Sequence, residues 1–170
     1  MLGKSSAEKV DWDLIPTAGK EIDAVRERCR GLVRRRAAIS AGMSAVPLPG
    51  IDVLSDLSLF KTLVDDVNKA FGLTPEQVDR MQPKHKLLAY EIAVGMGGVM
   101  VGKYVTRQLL TQVLKRTGMK YLAKSATRFV PIAGQIASAA IGFAVFRKLG
   151  YEHVEACARV AQELTAVRPS

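Results

Sequence analysis

Residues 45–50, AVPLPG, return in altered form at residues 129–134 as FVPIAG, and each copy stands at the head of a long apolar stretch. Proline removes a backbone donor and fixes φ, so neither stretch continues a helix that precedes it, and the glycine that follows supplies a turn. Both are therefore read as helix-to-helix corners, built on Pro47, Pro49 and Gly50 and on Pro131, that aim two hydrophobic helices into one core. The shared Val-Pro-x-x-Gly is compatible with an internal duplication.

Upstream of the first corner, Ile22, Val25, Cys29, Leu32 and Val33 recur at three- and four-residue spacing, while Arg26, Arg28, Arg30, Arg34, Arg35 and Arg36 mostly occupy other faces. That pattern predicts a helix over residues 20–44. Downstream, Asp52 and Asp56 fall in the first turns of a second helix, where carboxylates meet unpaired N–H groups. Its buried stripe is Leu54, Leu57, Phe60, Leu63, Val64 and Val67, and Gly72 caps it. Thr74-Pro75-Glu76-Gln77 then carries cap, N1 proline and capping-box Gln, so a short helix starts there and stops before Pro83.

From residue 84 the helical pattern runs on to about residue 117, with AVGMGGVMVGKY (residues 93–104) at its centre. Each glycine costs a solvated helix roughly 1 kcal/mol relative to Ala, which calls for the close approach of a second helix at Gly98 and Gly102. The expected partner is a helix over residues 132–149, rich in small residues including Gly134 and Gly142. A last helix over residues 151–167 carries Val154, Ala158, Val160, Ala161 and Leu164. No strand pattern occurs. The expected fold is all-α: a compact helical bundle over residues 19–168, with a central hydrophobic, glycine/alanine-rich helix pair. Residues 1–18 form an arm that Trp12 packs onto the body.

A chain of 170 residues that is 48% hydrophobic and 24% charged can bury a real core, which excludes a disordered chain. Its net charge of +9 favours an anionic partner. Cys29 and Cys157 are the only cysteines and sit in no metal-ligand spacing, which points to a reducing, cytoplasmic compartment. The first residues, MLGKSSAEKVDWD, contain no apolar core of a secretory signal; export by a route that needs none is left open.

The distribution of charge says more than its sum. Between Glu91 and Glu152 there is no acidic residue, while Lys103, Arg107, Lys115, Arg116, Lys120, Lys124, Arg128, Arg147 and Lys148 all fall there. Arg116, Lys120, Lys124 and Arg128 repeat every four residues, a basic ridge if one helix carries them. Leu114, Tyr121, Leu122 and Phe129 lie nearby to enter an interface. A basic amphipathic helix of this kind suits an anionic membrane surface. Neither a recognition motif nor an aromatic platform accompanies the charge, which argues against nucleic acid.

Chemical motifs are sparse. Residues 97–103, GGVMVGK, fit the first seven positions of a phosphate-binding loop, but Tyr104 stands where a hydroxyl should reach Mg²⁺, and no strand pattern precedes them. His153 and Cys157, four apart on one helix face, make only two ligands of a metal site. Asp65 and Asp66 are adjacent and point apart, and no Gly-x-Ser-x-Gly elbow occurs. No catalytic residue, cofactor or metal is expected.

Together, VPLPGIDVLSDLSLFKTLVDDVNKAFGL (residues 46–73) and the later FVPIAGQIASAAIGFAVF (residues 129–146) resemble the C-terminal helical domain of interferon-inducible immunity-related GTPases. They also resemble a bacterial helical domain of unknown function found with small-GTPase-like proteins. The likeness spans roughly residues 30–165 and implies an all-α module that works beside a GTPase or at a membrane, without catalytic residues. The expectation is a non-enzymatic, membrane-proximal interaction or regulatory module, peripherally bound to an anionic membrane or to a protein partner. The alternatives are a membrane-inserting, pore-forming effector and an adaptor for a separate GTPase, with homo-oligomerisation open in each case.

Overall fold

The computed structural model describes residues 10–44, 52–125 and 134–168, with the side chains of residues 43–44, 52–56, 118–125 and 134–141 left outside the description. The described residues form an all-α bundle of six helices with no strand: α1 (Gly19–Ser44), α2 (Asp52–Ala70), α3 (Pro75–Arg80), α4 (Pro83–Gly95), α5 (Arg107–Ser125) and α6 (Gly134–Ala166). The residues named for the corners, Pro47, Pro49, Gly50 and Pro131, lie outside the described residues.

Local chemistry explains the first three helices. In α1, Ile22, Val25, Cys29, Val33 and Ala37 are buried on one face, and Leu32 is half-buried. In α2 the inward residues Leu57, Phe60, Leu63, Val64 and Val67 are buried. The helix ends at Gly72, whose φ of 65° lets the N–H groups of Gly72 and Leu73 return to the carbonyls of Lys69 and Asn68 at 3.1 and 2.8 Å. The Thr74 hydroxyl accepts from Gln77 N–H and opens α3 on Pro75.

Helix α6, 33 residues long, is the hub and touches α1, α2, α4 and α5. At about 1.5 Å per residue it spans roughly 50 Å. Its contacts fix the direction of its neighbours. Thr165 donates to the Pro16 carbonyl, Arg26 and Arg30 both pair with Glu155, and Val33 faces Gly150, so α1 runs antiparallel to α6. Phe60 meets Phe146 edge-to-face at 5.0 Å, Leu63 lies by Gly150, and Asn68 meets Cys157, so α2 runs parallel to it. Helices α5 and α6 touch and are joined by only eight residues, the connection of an antiparallel hairpin. The end of α1, the start of α2, the end of α5 and the start of α6 consequently gather at one pole.

Three expectations are corrected. The pattern from residue 84 is not one helix: α4 stops at Gly95, residues 96–106 form turns, and α5 begins at Arg107. Gly97, at φ 76°, lets its own N–H and that of Gly98 return to Val94 and Ala93 at 3.0 and 2.7 Å. This closes α4 as Gly72 closes α2, in a backbone region that costs other L-residues roughly 1–2 kcal/mol. The two C-terminal helices are instead one. Gly150 does not break α6, because it serves close packing: a Cβ there would stand 2.7 Å from Cγ1 of Val33.

The glycine face also has other partners than residues 132–149. A Cβ on Gly98 would fall 2.3 Å from Cβ of Ala156, in the C-terminal half of α6, and one on Gly102 would fall 2.5 Å from Cγ2 of Val78 in α3. Gly142 is exposed with nothing within 4 Å of an added Cβ, so it makes no packing contact among the described residues. Gly134 opens α6. The arm packs where it is described: Trp12 stands edge-on to His85 at 5.4 Å, and Asp11 exchanges backbone hydrogen bonds with the Gln77 amide.

Candidate anionic-surface site

The site is built on α5. Thr106 opens the helix, its hydroxyl accepting from Leu109 N–H at 3.2 Å and its carbonyl from Leu110 N–H. Leu110 is buried and anchors the helix, Leu109, Val113 and Leu114 are half-buried, and Arg107, Gln108, Gln112, Lys115 and Arg116 face solvent. The helix passes Gly118 without a break and reaches Ser125, so Arg116, Lys120 and Lys124 recur at one-turn spacing on a single backbone. The side chains of Lys120 and Lys124, and all of Arg128, lie outside the described residues.

Electrostatics sort these cations. Lys103, on the turn before α5, holds its ammonium 5.2 Å from the Tyr90 ring centre, a cation–π contact with α4. Arg107, Lys115 and Arg116 have no carboxylate partner among the described residues. Several other cations are matched: Arg26 and Arg30 by Glu155, Arg36 by Asp66, Lys61 by Asp65, Lys148 by Glu152, and Arg159 by Glu163. The α5 surface thus carries positive charge that the fold does not neutralise.

The pattern at Arg28, Arg34 and Arg35 was not singled out from the sequence. These three lie on the outer side of α1, exposed and without a carboxylate partner among the described residues. The signal was available: Arg34–Arg36 precede fifteen uncharged residues, 37–51.

A second polar cluster is interior. Cys157 donates to Oδ1 of Asn68 at 3.5 Å and lies 3.7 Å from Nε2 of His153, while Nδ2 of Asn68 donates to the Met100 carbonyl at 3.2 Å. Burial pushes the His153 pKa down to about 4 against an opposing hydrogen bond to the Val64 backbone, and pushes the Cys157 thiol well up, with Cys29 adding to the rise. Burial likewise raises the Cys29 thiol. These buried contacts tie α2, α6 and the turns together.

Residues 97–103 do not have the strand–loop–helix setting of a phosphate-binding loop, since a helix precedes them and α5 starts four residues later. A groove of about 420 Å³ beside them is lined by Lys61, Asp65, Lys69, Glu76 and Tyr104, which mix both charge signs. Among the described residues no three His, Cys, Asp or Glu side chains are grouped to hold a metal. No described helix is long and apolar enough to cross a membrane. No known family model matches the chain, no curated protein matches it, and no solved structure matches it.

Proposed function

We propose that the protein is a non-enzymatic, membrane-proximal module that binds anionic lipid surfaces through the basic side of α5 and works on the cytoplasmic face. The observation that carries this reading is the unbroken course of α5 from Arg107 to Ser125, within a stretch that holds no carboxylate between Glu91 and Glu152. Each Lys or Arg held near an anionic surface contributes about 1 kcal/mol, so three or four acting together give a bound state that no single one could. The resemblance to the helical domain of immunity-related GTPases supports the same placement.

Co-sedimentation with phosphatidylserine-containing and with neutral phosphatidylcholine vesicles tests the proposal. Binding should need the anionic lipid, weaken as salt shortens the screening length from about 10 Å at 0.1 M to about 3 Å at 1 M, and weaken again in Arg116→Glu/Lys120→Glu/Lys124→Glu. Equal binding to both vesicle types, or none, would overturn it. Release of a trapped dye would favour an inserting effector instead.

A further inference from the structure

The pole where α1 ends and α6 begins has a second cationic element. Along the outer side of α1, Arg35, Ala38, Ile39 and Gly42 recur at i, i+3, i+4 and i+7, all of them exposed, with Arg34 beside them. Ile39 keeps 52% of its surface in water, although the inner side of the same helix is closed over the core. This face is apolar toward the end of the helix and cationic about two and a half turns back from it. Helix α5 repeats the arrangement in sequence: Arg116, Lys120, Lys124 and Arg128 lead into residues 129–146, which carry no charge. The helices that carry them run toward the same pole, because Val33 lies opposite Gly150 and α5 folds back on α6; α2 starts there as well, with Asp52 and Asp56 as the acidic residues of its first turns.

At the other end of α6 the charges are of both signs, and several are tied. Arg168 pairs with Asp13, Lys86 with Asp79, and Arg26 and Arg30 share Glu155. The protein is therefore electrostatically polar along its long axis, and an anionic plane attracts one end of it.

We infer that the outer face of the C-terminal half of α1 is a second contact with the anionic bilayer, so that the protein docks by the pole shared by α1 and α5. Arg34 and Arg35 engage headgroup phosphates and carboxylates there, and Ile39 enters the headgroup zone. An apolar side chain flanked by arginines suits an interface that is charged outside and hydrocarbon within, whereas in water alone its exposure gains nothing. The inference rests on the lipid-binding reading of α5 and adds the orientation and the partner residues.

The test uses the full chain with phosphatidylserine-containing vesicles. Neutralising two interfacial cations, at about five-fold each, should weaken binding roughly thirty-fold in Arg34→Gln/Arg35→Gln. Lys20→Gln, on the same helix but about 21 Å away at 1.5 Å per residue, should change it less than two-fold. A fluorophore on Gly42→Cys should be quenched by lipid-borne quencher, and one on Lys84→Cys should not. Lys84 is next to His85, which meets Trp12 edge-on at the far end, and the native Cys29 and Cys157 are buried and spared the label. Far-UV circular dichroism and unfolding midpoints verify that the variants fold.

If Arg34→Gln/Arg35→Gln binds like the parent and position 84 is quenched as strongly as position 42, the inference is overturned. Loss of binding on α5 charge reversal would then still leave the α5 proposal standing. Absence of any vesicle binding by the parent protein removes both.

Discussion

Replacing Gly98 by Ala would place a methyl carbon 2.3 Å from Cβ of Ala156, with the Ala93 carbonyl oxygen and Cγ2 of Val101 each 3.3 Å away. Carbon atoms rest at about 3.5–4.0 Å, so the turn must back away from α6 by more than an ångström. It has little freedom to do so. The Gly98 N–H is tied to Ala93, and two residues later the Met100 carbonyl is held by buried Asn68. Overfilling a packed site of this kind costs about 1–3 kcal/mol, and the smaller unfolded-state entropy of Ala returns about 0.4–1 of it. The expected net destabilisation is about 1–2 kcal/mol, a fall of roughly 2–4 °C in Tm per kcal/mol for a chain of this size. Ala156→Gly removes the opposing methyl and alone costs about 1 kcal/mol of helix propensity. In the Gly98→Ala background it should be neutral or stabilising, so a double-mutant cycle read by urea unfolding isolates the collision. An unchanged midpoint in Gly98→Ala, together with simple additivity in the double variant, would refute the packing argument.

Gly142→Ala should act in the opposite direction, stabilising by about 0.5–1 kcal/mol, because the position is an exposed helix interior with open space around it; a lower melting temperature would reveal a contact with a second molecule. Stability should also fall with acid through His153. Its folded pKa lies near 4 against an ordinary 6.5, so the unfolded chain takes up the proton first, and the contribution is intact above pH 6.5 and lost between 6.5 and 4. The loss is on the order of 3 kcal/mol at about 1.4 kcal/mol per pH unit, and His153→Gln should flatten the difference between urea midpoints at pH 7 and 4.5; an equal slope in the variant would show that other groups carry it.

Elements whose limits are written in nearby residues were legible in advance. Arginine and apolar spacing marked α1 to within a residue, Gly72 ended α2, and Thr74-Pro75 opened α3, because caps and periodicity act over a single turn of chain. The basic character of α5 was equally legible, and Arg107, Lys115 and Arg116 are exposed. The outer arginines of α1 are legible as a face, but not as the membrane contact proposed for them. Their significance depends on which carboxylates the fold brings to their neighbours, and Glu155 comes from more than a hundred residues away.

That this chain is a helical bundle with an uncompensated basic segment can be read from its residues, since 3.6-residue periodicity and the sign of a side chain need no partner to be recognised. Tertiary structure alone decided what each glycine does. Residues 93–104 keep an apolar pattern that a helix would also show, and Gly150 looks like a break between two helices. Whether such a residue turns the chain at φ 76°, as Gly97 does, or stays helical to admit Val33, as Gly150 does, is settled by what packs against it. A glycine has no side chain to carry that instruction; the neighbouring helix supplies it.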